Sequence, residues 1–293
     1  MRKLVFFFLT SFLSFNTYEM QSLSRKNFWI IAVNSLASYV LAYLFIFYVN
    51  QLSYVLTAGM FNYQITVDYA TYFFHVEPYQ WTHDAVFVIF SSGYILTFIF
   101  GILSLLAFFS LSGSSVPVKV FFFWMVMHSS NYVFGGLLLG NMLTEGIGHV
   151  FNWMYLVDTS RLIISLVGFF GLVMTSLFAV RIVAISADSY FSKFNERMGP
   201  FFITAQVLVP FVLGAIIMFF YFYPKNMFHE RFGWIVLAVM VFIFFMSTRF
   251  IDALYFEEDE NRTIRPMKGL IVFTLIFLVV SRVALQYGIS FSW

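Results

Sequence analysis

The sequence predicts an all-α fold, a polytopic integral membrane bundle of about seven transmembrane helices plus one short re-entrant or interfacial segment. Composition points there first. Of the 293 residues, 61% are hydrophobic and 10% charged, whereas ordinary globular domains are about 45–50% apolar and about 25% charged. The apolar residues also fall in long unbroken runs, and mean hydropathy over the chain is +0.87. Finally, positive charges gather at alternate ends of those runs. A segment that spans lipid must satisfy its own backbone amides, so runs of this length are helices. A β-barrel would show short alternating segments instead. No stretch is polar enough to form a separate soluble unit, so residues 1–293 read as a single membrane domain.

Residues 1–27 open with Arg2 and Lys3 and a short apolar run, like a signal peptide. No small-residue cleavage site follows, because Asn16, Thr17, Tyr18 and Glu19 come next. A run of about a dozen residues is short for about 30 Å of hydrocarbon, and the segment reads as interfacial. Longer runs follow at 28–49, 85–110, 117–142, 161–183, 200–223, 232–252 and 268–291. Each has the roughly 20 residues that cross about 30 Å at about 1.5 Å per residue.

Two connections stand out. Residues 50–84 contain no Lys or Arg and are crowded with aromatics, Tyr63, Tyr69, Phe73, Tyr79 and Trp81 among them. Such side chains sit at headgroup level, so this is an external loop lying on the membrane as a short helix or lid. Residues 143–158 carry Glu145, Gly146, Gly148, His149 and Asn152 between apolar neighbours. If this piece does not cross, Arg2, Lys3, Arg25, Lys26 and Lys119 share one side with Arg181, Lys193, Arg197, Arg249, Arg262, Arg265 and Lys268. Only Arg161, Lys225 and Arg231 then face the other side. The positive-inside rule favours that arrangement. It predicts a re-entrant 143–158, a cytoplasmic N-terminus and an external C-terminus, a charge bias suited to a bacterial cytoplasmic (inner) membrane. The polar 256–268 linker reads as a cytoplasmic turn, and no internal repeat is visible.

Polar groups at membrane depth point to function because keeping them there is unfavourable. A central Arg costs about 2.5–3.5 kcal/mol on insertion scales. Arg282 sits some fourteen residues after Lys268, about 20 Å along a helix. It needs an acidic or carbonyl partner, Glu145 and Asp158 being the natural acids, or it snorkels to the external face. In the third run His128 and Asn131 share a face, while Gly136 and Gly140 form a GxxxG that lets a neighbouring helix approach. Polar-pocket candidates are therefore His128, Asn131, Glu145, His149, Asn152, Asp158 and Arg282.

Glu145 and His149 lie i, i+4, and with His128 they make a candidate His₂Glu metal set. The two histidines could alternatively hold a haem, and hydrogen bonding within the bundle accounts for the same residues. The sequence specifies no cofactor. In hydropathy and in its glycine-rich third run the chain resembles the site-2-type membrane proteases, but it has no HExxH. Nucleotide-binding loops, a G-x-S-x-G elbow and EF-hands are missing too. Zero Cys excludes disulfides and thiolate chemistry. The expected partners are the lipid bilayer and other membrane subunits, not nucleic acid. Three functions follow, in order: a non-enzymatic subunit or scaffold of a membrane assembly, a small-solute or lipid transporter, and an intramembrane metal-dependent enzyme.

Overall fold

The computed structural model describes residues 23–111, 117–191, 193–194, 198–225, 228–250, 254–255 and 264–293. Most of the expected N-terminal interfacial segment and most of the 256–268 linker lie outside the described residues. The helices are α1 (Arg25–Met60), α2 (His83–Ser110), α3 (Lys119–Leu143), the short α4 (Gly148–Trp153), α5 (Asp158–Ser186), α6 (Met198–Phe222), α7 (Phe228–Ser247) and α8 (Lys268–Ala284). All seven apolar runs are therefore helical. Among the described residues, four helices, α1, α2, α5 and α6, are long and apolar enough to cross a membrane. α3 is diluted by polar residues from His128 to Asn131, and α8 has only 17 residues. Side-chain caps start two of the helices: Ser24 Oγ accepts from the Asn27 N–H, and Thr82 Oγ1 from the Ala85 N–H.

The helices alternate in direction. α1 and α2 run antiparallel, with Asn50 bonded to Thr97 and Ser53 to Ser92. α2 and α3 do the same, since Gly101 faces Ser129 and Tyr94 faces Gly136. α3 and α5 meet at Lys119 with Asp188 at one end and Asn141 with Ser165 at the other. The connection 144–157 thus begins and ends at the same end of the bundle. α4 within it rises only about 9 Å, too little to cross. α6 and α8 run parallel to α1: Ser35 bonds the Gln206 carbonyl, Asn34 bonds the Arg265 carbonyl, and farther along Tyr48 meets Tyr221 and Phe277. Arg25, Lys26, Lys119, Arg181, Arg265 and Lys268 consequently lie toward one end, and Arg161, Lys225 and Arg282 toward the other.

Among the described residues, five short strands cap the two ends: β1 (Ile65–Val67), β2 (Tyr72–Phe74), β3 (Lys193–Phe194), β4 (Leu254–Tyr255) and β5 (Ile289–Phe291). β3 pairs with β4 at the Lys119 end. At the opposite end an antiparallel sheet has the order β2–β1–β5. Two of its features extend or correct the sequence reading. α1 continues through 50–60 because its polar side chains there are bonded inside: Asn50 to the Ile46 carbonyl, Gln51 to the Asp68 carbonyl and Thr57 to the Ser53 carbonyl. α8 stops at Ala284 rather than running to 291, because Gly288, at φ 73°, turns the chain and Ile289–Phe291 pair with β1.

The surface is apolar, and polar side chains are buried among the apolar ones of the interior. Asn34, Ser35, Ser38 and Gln206 are fully buried, whereas Leu106, Phe170, Phe220 and Ile276 are exposed. Water-soluble proteins bury charged and amide groups far less readily and avoid large exposed apolar patches. The apolar helices and this distribution mark a membrane protein. A single π turn at Thr204–Leu208 contributes to the interior network. The Gln206 carbonyl accepts from Ser35 Oγ, which accepts from Trp124 Nε1, while Gln206 Nε2 donates to Ser186. These bonds tie α1, α3, α5 and α6 together, a role that polar side chains fill in lipid, where apolar burial drives no association.

Candidate functional site

His128 sits midway along α3, 3% exposed. Its ring meets Tyr39 edge-on at 4.6 Å and Tyr43 at 5.3 Å, and stacks on Trp124 at 5.8 Å. The imidazole bonds the Tyr39 backbone, while its Nε2 has no partner. A bond to a carbonyl requires the N–H on Nδ1, which leaves Nε2 a bare acceptor. One turn along, Asn131 donates from Nδ2 to the Gly233 carbonyl at 3.1 Å, and its Oδ1 is likewise unpartnered. Both free groups are acceptors.

Glycines shape the other end of the site. A Cβ on Gly136 would lie 2.1 Å from the Tyr94 ring, and one on Gly146, at φ 56°, would lie 2.6 Å from the Tyr94 hydroxyl. A Cβ on Gly140 would come within 2.9 Å of the Glu145 carbonyl, and one on Gly148 within 1.9 Å of the Gly140 carbonyl. At Gly136 the GxxxG receives the Tyr94 ring of the neighbouring α2, and at Gly140 the backbone of 145–148 folding back on α3. The Tyr94 hydroxyl accepts from the Ile147 N–H and so fastens that segment to α2.

These contacts leave a cavity of about 80 Å³ between α1, α2, α3 and α7. That is room for several waters or a ligand of a few heavy atoms. His128 and Asn131 lie on its wall, Tyr94, Tyr132 and Trp234 flank it, and Glu145 reaches it from the short segment. Trp234 Nε1 donates to Tyr43 Oη at 3.0 Å, and the Tyr54 and Tyr132 hydroxyls meet at 3.2 Å. No Lys or Arg lines the space among the described residues.

The remaining candidates lie elsewhere. His149 packs on Phe90 at 4.7 Å, in the smaller apolar cluster beside the sheet. Asn152 accepts from Arg161 Nη2 at 2.8 Å, while Asp158 stands exposed in the first turn of α5, where a carboxylate suits the helix dipole. Among the described residues no three His, Asp or Glu side chains converge as metal ligands. The expected His128–Glu145–His149 set is not assembled, because Phe90 holds one histidine while Tyr39 and Trp124 hold the other.

Arg282 pairs with neither Glu145 nor Asp158. With α8 ending at Ala284, it occupies the last helical turn and donates to the Tyr221 and Tyr223 carbonyls at the end of α6. Its guanidinium lies 3.6 Å from the Tyr69 ring centroid, a cation–π contact. Beside it Lys225 bonds Asp68 at 2.9 Å. Burial pushes the Asp68 carboxyl up, but hydrogen bonds from Lys225, from the Ala70 and Thr71 backbone and from the Thr71 hydroxyl outweigh it, and the net direction is down. The bond to Asp68 and its charge hold the Lys225 ammonium above its ordinary value.

Sequence reasoning did not single out Tyr43, Tyr94, Tyr132 or Trp234 on the cavity, nor the Lys119–Asp188 pair, 2.5 Å apart and almost fully buried. The usable signal was a tyrosine in mid-run, since a buried hydroxyl needs a partner. The chain matches no protein-family model, and no curated protein or solved structure is significantly similar to it.

Proposed function

We propose that the chain is a seven-pass protein of a bacterial cytoplasmic membrane that takes a small polar solute into the α1/α2/α3/α7 cavity and passes it across the bilayer. α3, α7 and α8 join the four long apolar helices as spans, and 143–158 dips in at the external end without crossing. The alternating helix directions support this topology. The clustering of Arg25, Lys26, Lys119, Arg181, Arg265 and Lys268 at one end supports placing that end in the cytoplasm.

One observation carries the solute reading: a buried imidazole on the cavity wall keeps an acceptor with no partner. Leaving such a group unsatisfied costs about 1–3 kcal/mol. An ionisable residue inside a membrane marks a functional site by default. A purely structural subunit has no need of it. Because the native chain contains no Cys, access to the cavity is directly testable. Leu139 lines it, and Leu139→Cys in sealed vesicles is expected to react with a small water-soluble methanethiosulfonate. Failure to react from either side, with the protein folded, would remove the solute reading and leave the structural-subunit one.

A further inference from the structure

We infer that the cavity solute is a small uncharged hydrogen-bond donor, of the primary amide or short alcohol type, that donates to His128 Nε2 and Asn131 Oδ1. It rests on the solute reading above and assigns the chemistry of that solute. Among the described residues these are the two buried side-chain atoms on the cavity wall that lack a partner, and both are acceptors. Asn131 cannot turn its amide around to offer a donor, because Nδ2 is engaged with the Gly233 carbonyl. His128 holds its proton on Nδ1 for the Tyr39 carbonyl. A second proton on the ring would put an N–H with no acceptor on Nε2 and a charge at membrane depth, which is unfavourable.

The other polar groups around the space are engaged. Trp234 Nε1 donates to Tyr43, the Tyr132 hydroxyl meets that of Tyr54, and the Tyr94 hydroxyl accepts from the Ile147 N–H. Glu145 has an interaction of its own, and the two free acceptors suffice without it. They stand three residues apart on α3, a spacing that leaves helical side chains about 5–6 Å apart at Cβ, so one small molecule can reach both. A solute that only accepts hydrogen bonds would leave both lone pairs unsatisfied. Neither acceptor carries a charge, so a neutral donor completes them without taking an ion to bilayer depth. Volume limits that donor to a few heavy atoms, since the space measures about 80 Å³.

The test uses the full chain carrying Leu139→Cys in sealed vesicles and reads how added solutes slow its labelling by the methanethiosulfonate. Acetamide and acetone have the same size and the same carbonyl, but acetone has a methyl where acetamide has its NH₂ donors. Acetamide is expected to protect saturably and acetone at least about tenfold more weakly, the size of one well-made hydrogen bond. Ethylammonium, a charged donor, is expected to protect less than acetamide. His128→Phe and Asn131→Leu, each added to Leu139→Cys, remove one acceptor and are expected to weaken acetamide protection about tenfold. Labelling at the original rate without solute shows that a variant keeps the cavity; should either fail this control, the acetamide–acetone comparison on Leu139→Cys itself decides. Equal protection by acetone would overturn the donor requirement, and stronger protection by ethylammonium the uncharged class. Undiminished protection in both variants would overturn the two acceptors as the site. A labelled Leu139→Cys chain that acetamide does not protect overturns this inference alone; a chain that does not label at all removes the cavity reading as well.

Discussion

At the scale of single residues, two positions separate steric from electrostatic roles. Gly136 has no room for a Cβ against Tyr94. Gly136→Ala is therefore expected to destabilise the protein by about 1–3 kcal/mol, the usual cost of overpacking, and Tyr94→Ala in the same chain to recover part of the loss. Additive losses in thermal unfolding would mean that the two do not meet. Lys119 and Asp188 present the electrostatic case. Lys119→Met takes the ammonium away from a buried carboxylate and is expected to cost about 3–5 kcal/mol, whereas Lys119→Met with Asp188→Leu is roughly neutral. If the double variant is as unstable as the single, the two charges are not acting as a pair. His128, Asn131 and Glu145 were legible because each interrupts an apolar stretch. The cavity tyrosines were not, since in a chain with 43 Phe a further ring does not stand out. Arg282 was read as deep because Ile289 and Phe291 prolong the apolar run past the point where Gly288 turns the chain.

At the scale of elements, hydropathy located the helices because one residue's transfer preference adds to the next along a run. It could not show the β2–β1–β5 sheet. β1 has only three residues, and its partner β5 lies more than two hundred residues downstream, so no local pattern announces the pairing. A two-stranded hairpin alone is marginal, and the β1–β2 turn is held by Asp68, which Lys225 links to the end of α6. This link sets a pH dependence. A carboxyl depressed in the folded state adds stability above its unfolded pKa, about 3.9, and loses it as pH falls through the folded value. A raised ammonium adds stability below about 10.4 and loses it as pH rises through its folded value. The link is thus complete between about pH 5 and 9 and fails on both sides. Lys225 is half-exposed, so the effect is modest. On acidification from about pH 6 to 3, melting temperature is expected to fall more for the native chain than for Asp68→Asn; equal falls would show that Asp68 carries no such linkage.

At the scale of the whole molecule, the alternating directions and the uneven charge distribution are independent observations that agree. Contacts fix which helix ends lie together, and of those contacts only the Lys119–Asp188 pair involves charges. Charges, counted afterwards, fall mostly at the end holding Arg25, Lys119 and Lys268. The two are linked physically, because a helix inserted the other way would carry its cations across the bilayer. An even number of crossings would put the sheet, which contains β5, on the same side as the start of α1; an odd number separates them. Tyr79 and Tyr287, near the sheet, are 83% and 93% exposed, and Pro266, just before α8, is exposed at the opposite end. Single cysteines at these positions are expected to divide sharply with a membrane-impermeant maleimide. Tyr79→Cys and Tyr287→Cys react on intact cells, while Pro266→Cys reacts only after permeabilisation. Reaction of Pro266→Cys alone on intact cells would reverse the orientation while keeping the bundle, and reaction of Tyr79→Cys and Pro266→Cys from one side would break the seven-pass topology itself.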